Sequence, residues 1–487
     1  MSNLQQGNAK MTNQRWTIVV MLFMATTVNY LDRQVLSLTW ADFIAPEFHW
    51  TNSDYGTITG LFSIFYAVSM LFAGKFIDWM DTKKGFLWAI GVWSFGAVLH
   101  AFCGLLTAGI TAGEWTLSFS GAREAIGTVG DVSLVVSVSV TLFVFARLVL
   151  AIGEAGNFPA AIKATAEYFP KKDRAYATSI FNSGAQIGAL LAPLTIPFIA
   201  KAWGWEMAFI VIGALGFIWM GFWVFIYEKP EKNKRVNALE LAYINQDDAT
   251  DVTEGRVKAD ENAGKKVSFK KAFKYKQTWS FAVGKFLTDG VWWFLLFWIP
   301  AYLSSVYGLD STESAPHVFV VYAISMISVF AAGYFPAYFM NRKKLDPYQG
   351  RMRAMLLFAF FPLLILLAQP LGGISVWLPV IIIGIAAAAH QSWSANIFTT
   401  VSDMFPKHAV GTITGIGGMA GGVGSFFINK SSGVLFDHAA NTNMSFLGYK
   451  GIESGYFIIF IFCAIAYLLG WTIMKSLVPK YQLITDM

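Results

Sequence analysis

Residues 147–174 read RLVLAIGEAGNFPAAIKATAEYFPKKDR, an otherwise apolar run that carries an arginine and a glutamate and ends in a basic turn. A charge near the centre of a bilayer costs roughly 2.5–3.5 kcal/mol on insertion scales, so Arg147 and Glu154 in one membrane span are expected to face a polar cavity rather than lipid. In a helix their spacing is two turns and about 10 Å of rise, which puts them on nearly the same face. Gly153, Gly156 and Pro159 follow, and these residue types allow close helix approach or a local bend. The stretch reads as the wall of a transport pathway. The alternative is an ion pair that only ties helices together.

Composition fixes the class. Of 487 residues 55% are hydrophobic and 14% charged, whereas ordinary globular chains carry roughly a quarter charged residues. The chain is therefore an all-α polytopic membrane protein. Cys103 and Cys463 both fall in apolar runs, which indicates buried small side chains rather than a disulfide framework or a metal cluster. The net charge of +6 sits in the loops between spans, where it reads as an orientation signal and not as a nucleic-acid surface.

Residues 1–15 are short and polar, and the apolar run from Trp16 has no small-residue cleavage site behind it. It reads as a retained first span, not a signal peptide. Runs long enough to cross about 30 Å of hydrocarbon are expected near 16–40, 54–76, 85–106, 138–160, 176–200 and 206–227, then near 279–304, 317–340, 352–370, 374–398, 411–431 and 455–478. This gives about twelve transmembrane helices in two bundles, residues 1–228 and 279–487, joined by a linker over 229–278. Residues 107–137 hold Glu114, Arg123, Glu124 and Asp131 among apolar neighbours and read as a long external loop or a partly re-entrant segment.

Lys83 and Lys84, then Lys171, Lys172 and Arg174, then Arg342, Lys343 and Lys344 mark basic turns, whereas 41–53 and 305–316 contain no Lys or Arg. The positive-inside rule places the basic turns and both termini in the cytoplasm. The linker mixes Lys232, Lys234, Arg235, Asp247, Asp248, Lys265, Lys266, Lys270 and Lys271; it is either solvated or in part an amphipathic helix on the membrane surface. The two halves echo each other. YFPKKDRAYATSIFNSGAQIG at 168–188 aligns without a gap onto MFPKHAVGTITGIGGMAGGVG at 404–424, sharing Phe-Pro-Lys, Thr178 with Thr414, and Ile180 with Ile416. A parallel six-span repeat is the architecture in which two bundles rock about a central site.

With these motifs the chain resembles the major facilitator superfamily. GKFIDWMDTKK, with Gly74, Asp78, Lys83 and Lys84, looks like the family signature between the second and third spans, and the resemblance implies a gating role for Asp78, Lys83 and Lys84. It departs from the pattern in Trp79, where an arginine is usual, and Asp81, where a glycine is usual. NYLDR at 29–33, Arg147 to Glu154, and Asp173-Arg174 look like the organic anion:cation symporter family, whose members take up sugar acids and other carboxylates. KFLTDGVWWFLLFWIPAYL at 285–303 and GIGGMAG at 415–421 are most similar to its hexuronate transporters.

The residues carry a physical reading beside that resemblance. Asp32 and Arg33 follow an uncharged run from Trp16 to Leu31, where burial favours a neutral acid and a neighbouring arginine favours the ionised one, so Asp32 can be a proton site. Glu154 is placed similarly against Arg147. Guanidinium is the natural partner of a sugar-acid carboxylate, because its planar fork gives two parallel charge-assisted bonds and cannot lose its proton. By similarity to the family, substrate binding falls on Arg33 and Arg147 and proton coupling on Asp32 and Glu154, with Tyr30, Tyr66 and Gln186 as hydroxyl partners. HQSWSANIF at 390–398 adds Ser392, Trp393 and Asn396, either as a pocket wall or as interhelical hydrogen bonds. Lys285 and Asp289 can pair at i and i+4, or Lys285 can snorkel to the interface. Trp292, Trp293, Phe294, Phe297 and Trp298 read as lipid-facing or packing residues.

No phosphate loop, zinc spacing or catalytic triad appears, so the chain is not an enzyme and needs no cofactor beyond protons as the coupling ion. The expectation is a monomeric, multi-pass carrier in a cell membrane, in contact with the lipid bilayer, that imports a hexuronate such as glucuronate or galacturonate with protons. The alternatives are a symporter of another anion, such as an aldonate, sialic acid or phosphate, and a non-transporting sugar-acid sensor.

Overall fold

The computed structural model describes residues 10–246 and 268–484, which are overwhelmingly helical. The N-terminal half contains α1 (Gln14–Thr39), α2 (Asn52–Met80), α3 (Thr82–Thr111), α4 (Val132–Tyr168), α5 (Lys171–Trp203) and α6 (Trp205–Ile226). The C-terminal half contains α7 (Lys276–Tyr307), α8 (Ser311–Lys343), α9 (Pro347–Gly372), α10 (Trp377–Met404), α11 (Lys407–Asn441) and α12 (Ile452–Leu477). Among the described residues eleven helices are long and apolar enough to cross a membrane. The first helix falls short because Asn29, Asp32, Arg33 and Gln34 interrupt its apolar run, yet it packs between α5 and α6 and completes the twelve spans. Several helices overrun the apolar runs by one to three turns, α11 most clearly. Apolar runs mark the hydrocarbon crossing, whereas a helix continues wherever its backbone bonds are still satisfied.

The internal repeat is visible in the backbone. Phe169 (φ −129, ψ 135) ends α4 and Phe405 (φ −113, ψ 148) ends α10. The prolines that follow, Pro170 (φ −63, ψ 156) and Pro406 (φ −63, ψ 149), open α5 and α11 in nearly identical conformations. A residue before proline is driven out of the α region, so the shared Phe-Pro stops one helix and starts the next in both halves.

Within the N-terminal half α1 lies on α5 and α3 on α4; within the C-terminal half α7 lies on α11 and α12, and α8 on α10. Between the halves α2 runs along α11 and α5 meets α8. Polar bonds between the two bundles gather at one end. The Asp437 carboxylate accepts from Asn52 N (3.0 Å), Asn52 Nδ2 (2.9 Å) and Ser53 N (2.7 Å). Lys430 donates to Ser53 Oγ (3.1 Å) and Thr57 Oγ1 (2.7 Å). In the opposite sense Asp42 accepts from Ser311 N (2.5 Å), and Lys201 donates to Asp310 Oδ2 (3.3 Å) and Thr312 Oγ1 (3.1 Å). Each bundle thus satisfies orphan donors at a helix N-terminus of the other, where the helix dipole also favours an anion. This is the sealed end, and it carries the segments 41–53 and 305–316.

Two sequence expectations need correction. Residues 107–137 are not a re-entrant span but include a long connection at the sealed end, shortened by its own helix: α3 runs to Thr111, a short helix Phe119–Gly127 follows, and α4 begins at Val132. Arg123 pins this helix down, donating to Glu47 Oε2 (3.0 Å) and Glu206 Oε1 (2.8 Å). The linker is not simply solvated. Its helix Ala238–Ile244 docks under the N-terminal bundle, where buried Glu240 accepts from Gln14 N (3.1 Å), Arg15 N (3.0 Å) and Arg15 Nη1 (3.1 Å) and so caps α1. Asp247, Asp248, Lys265 and Lys266 lie outside the described residues.

Candidate functional site

At mid-depth α1 and α4 bring four charged side chains together, all at most 3% exposed: Asp32, Arg33, Arg147 and Glu154. Their partners differ from the sequence expectation. Glu154 does not pair with Arg147 on its own helix; its Oε2 accepts from Arg33 Nε (2.9 Å) and Nη2 (2.6 Å) across to α1. Glu154 closes the first segment of α4, Val132–Glu154, and the second begins at Asn157. Pro159 causes this break, since its ring clashes with the carbonyl four residues earlier and it has no N–H to donate. Gly153 makes the approach possible from the other side: a Cβ there would lie 2.3 Å from Trp93 N of α3.

The pairing leaves two groups exceptional. All three guanidinium nitrogens of Arg147 are buried without a hydrogen-bond partner among the described residues, and so are both carboxylate oxygens of Asp32. Asp32 lies within electrostatic reach of Glu154 and Arg147, and Arg147 of Glu154, Tyr55, Arg33 and Asp32. Burying an unpaired charge is costly, and the guanidinium of Arg147 keeps its planar fork of donors unused.

An aromatic cage holds the cations. The Arg33 guanidinium lies 4.6 Å from the Tyr66 ring, 4.9 Å from Tyr30, 5.2 Å from Trp293 and 5.9 Å from Phe62, and that of Arg147 lies 5.1 Å from Phe62. Cation–π contacts of this kind strengthen when desolvated. Trp293 comes from α7, so both bundles build the cage. Of the two readings of the α7 aromatics, packing holds and lipid-facing does not: Trp293, Phe294, Phe297 and Trp298 are buried, and Trp292 stacks on His390 at 5.2 Å. This helix is packed on its α1, α11 and α12 sides and has little surface left for lipid.

Other expected residues are placed differently. Gln186 and Tyr30 are half-buried. Trp393 is fully buried against Tyr467, ring centroids 5.5 Å apart, with Nε1 unpartnered among the described residues. Ser392 donates to Ser328 O (3.4 Å) and Asn396 Nδ2 to Ala332 O (3.0 Å), both main-chain atoms of α8. The second bond has a clear cause. The Ala332 carbonyl would normally receive residue 336, but that residue is Pro336, so Asn396 supplies the missing donor. Lys285 does not snorkel; it pairs with Asp289 at 2.6 Å, nearly buried, with Nζ 4.1 Å from the Phe398 ring. The gating candidates pair inside the N-terminal bundle: Asp78 with Lys163 (3.0 Å) and Lys83 with Glu228, while Lys84 is exposed. Asp81 holds φ +68 and ψ 154, a backbone region that glycine alone adopts without strain, which explains why a glycine is usual there.

Sequence reasoning missed Asn29 and Asn157. Among the described residues Asn29, fully buried and one turn from Asp32 and Arg33, has both amide atoms unpartnered; Asn157 donates to Thr26 Oγ1 at 3.4 Å and leaves its Oδ1 unpartnered. Their signal was present as amides inside apolar spans, the residue type that marks a pathway.

Two six-helix bundles that meet at one end, with a buried charge cluster in the N-terminal bundle and Trp293 of the C-terminal bundle against it, have the architecture of a polytopic membrane transporter, not of an enzyme. The family model described as Major Facilitator Superfamily matches residues 22–428, and the chain belongs to that superfamily. It is 25% identical over 469 residues to a hexuronate transporter of Escherichia coli K12, covering 96% of this chain and 95% of that one. It is 26% identical over 337 residues to a galacturonate transporter of Dickeya chrysanthemi, covering 69% and 86%. In fold it is similar to a bacterial homolog of the human lysosomal transporter Spinster, in an inward-facing conformation, with TM-score 0.69, 17% identity and coverage of 99% and 100%.

Proposed function

We propose that this protein imports a hexuronate, glucuronate or galacturonate, together with protons, by alternating access in the bacterial inner membrane. The observation that carries the reading is the fully buried, unpartnered guanidinium of Arg147 beside the Arg33–Glu154 pair. A sugar-acid carboxylate matches its fork bidentately. The names of the relatives support the sugar-acid class, and the half-buried Tyr30, Tyr66 and Gln186 are the neutral partners for sugar hydroxyls.

Charge balance supports proton coupling. Asp32, Arg33, Arg147 and Glu154 sum to zero when all are ionised, so an incoming carboxylate leaves a buried negative charge unless a carboxylate of the protein takes a proton. Protonating Glu154 also loosens its hold on Arg33 and offers a second guanidinium to the substrate. Asp32, with both oxygens buried and unpartnered, is the other proton site. By the positive-inside rule the sealed end faces outward and both termini face the cytoplasm, which makes this an inward-facing state.

The test is uptake of labelled glucuronate and galacturonate by proteoliposomes under an imposed pH gradient. Accumulation should collapse with a protonophore and resist competition by glucose. Uptake indifferent to the protonophore would refute proton coupling, and equal inhibition by glucose and glucuronate would make the arginines structural.

A further inference from the structure

At the end of the C-terminal bundle opposite the seal, the entry to α7 and the exit from α12 enclose a groove of about 850 Å³ lined by Lys274, Lys276, Lys480, Tyr481 and Leu483. Lys270 and Lys271 stand exposed on the adjoining short helix Phe269–Ala272. Lys475 donates to Pro479 O at 2.7 Å, holding the turn that presents Lys480. Among the described residues neither segment supplies a counter-charge: no Asp or Glu occurs from Ser268 to Thr288 or from Ser454 to Ile484. The nearby carboxylate of Asp403 is taken by Arg351 at 2.7 Å. On the same segments Phe269, Phe273, Trp279 and Tyr481 are 48%, 37%, 48% and 38% exposed, and Leu483 is 52% exposed. Lysines and aromatics mixed at the ends of membrane helices lie at headgroup depth, where the rings enter the interface and the ammonium groups meet phosphate.

We propose that this groove binds the headgroup of an anionic phospholipid, with Lys274, Lys276 and Lys480 around the phosphate and the exposed aromatics in the interface. The occupant is a lipid and not a free anion, because the cationic lining is continuous with apolar side chains that a soluble ion would leave in water. It is independent of the transport site, which lies at mid-depth between α1 and α4.

The experiment is a titration of the purified full-length protein in detergent, read as thermal unfolding, with phosphatidylglycerol, with phosphatidylcholine of the same acyl chains, and with inorganic phosphate. Phosphatidylglycerol should raise the unfolding temperature more than phosphatidylcholine does, and phosphate alone should not. The triple variant Lys274→Gln, Lys276→Gln, Lys480→Gln should bind phosphatidylglycerol roughly 100-fold more weakly, since each lysine near an anionic surface contributes about fivefold. Its elution profile, circular dichroism and response to phosphatidylcholine should stay unchanged, which separates lost lipid recognition from misfolding. Equal shifts from the two lipids in wild type, a shift reproduced by inorganic phosphate, or a triple variant that keeps its preference for phosphatidylglycerol would each overturn the proposal.

Discussion

Replacing Glu154 by glutamine tests the central arrangement most directly. The glutamate is fully buried and its partner Arg33 is 3% exposed, so solvent screens the pair little. One oxygen, Oε2, takes both bonds from Arg33. An amide keeps the shape but removes the charge, leaving two guanidiniums with only Asp32 as counter-ion. Breaking a buried pair by neutralising one partner typically costs about 3–5 kcal/mol, so Glu154→Gln should unfold at a clearly lower temperature in the absence of substrate. A substrate carboxylate then restores the missing negative charge, and it no longer competes with Glu154 for Arg33. If even 1.4 kcal/mol of the cost is returned on binding, affinity rises tenfold; the expected dissociation constant is at least tenfold lower than wild type. Counter-flow of labelled glucuronate should survive, because exchange needs no proton movement, while accumulation driven by a pH gradient should vanish. The assays are substrate-dependent thermal shift and proteoliposome uptake, with and without the gradient. Uphill accumulation at the wild-type level, or weaker binding by the variant, would refute the reasoning.

Asp32→Asn should likewise lose uphill accumulation and keep counter-flow, with a smaller change in affinity because Asp32 makes no bond to either arginine; unaltered accumulation would remove it as a proton site. Arg147→Lys should fail nearly as badly as Arg147→Ala in binding, since a point charge cannot reproduce the bidentate fork, and wild-type affinity in the lysine variant would count against carboxylate capture there. Asp437→Asn removes the anion from the N-terminus of α2, an effect worth about 0.3–2 kcal/mol, and should widen the spin-label distance distribution across the sealed end; an unchanged distribution would mean that the contact does not hold the gate. Asp81→Gly relieves the positive φ while losing the 2.9 Å bond from Thr82 N, whereas Asp81→Ala loses the bond and keeps the strain, so thermal unfolding should rank glycine above alanine by about 1–3 kcal/mol.

The amino-acid sequence by itself determined the spans, the repeat and the four charges buried at mid-depth. The reason is that a bilayer obliges each crossing segment to satisfy its own backbone and to hide its charges, so long apolar runs and the few charges inside them are directly readable. Phe169-Pro170 and Phe405-Pro406 announced the repeat because proline's restriction is local, and it acts the same way in both halves. Partner choice was not readable. Spacing on one helix suggested Arg147 for Glu154, but the docking of α1 against α4 and the break after Glu154 gave the carboxylate to Arg33 instead. Trp293 joined the cage, Asn396 covered a carbonyl left open by Pro336, and Lys285 met Asp289 in the interior. Such pairings depend on how helices distant in sequence rotate and lean on one another, which hydropathy and spacing along a single segment do not encode; only the tertiary structure decided that, of the two guanidiniums in the cluster, that of Arg147 is left without a partner among the described residues.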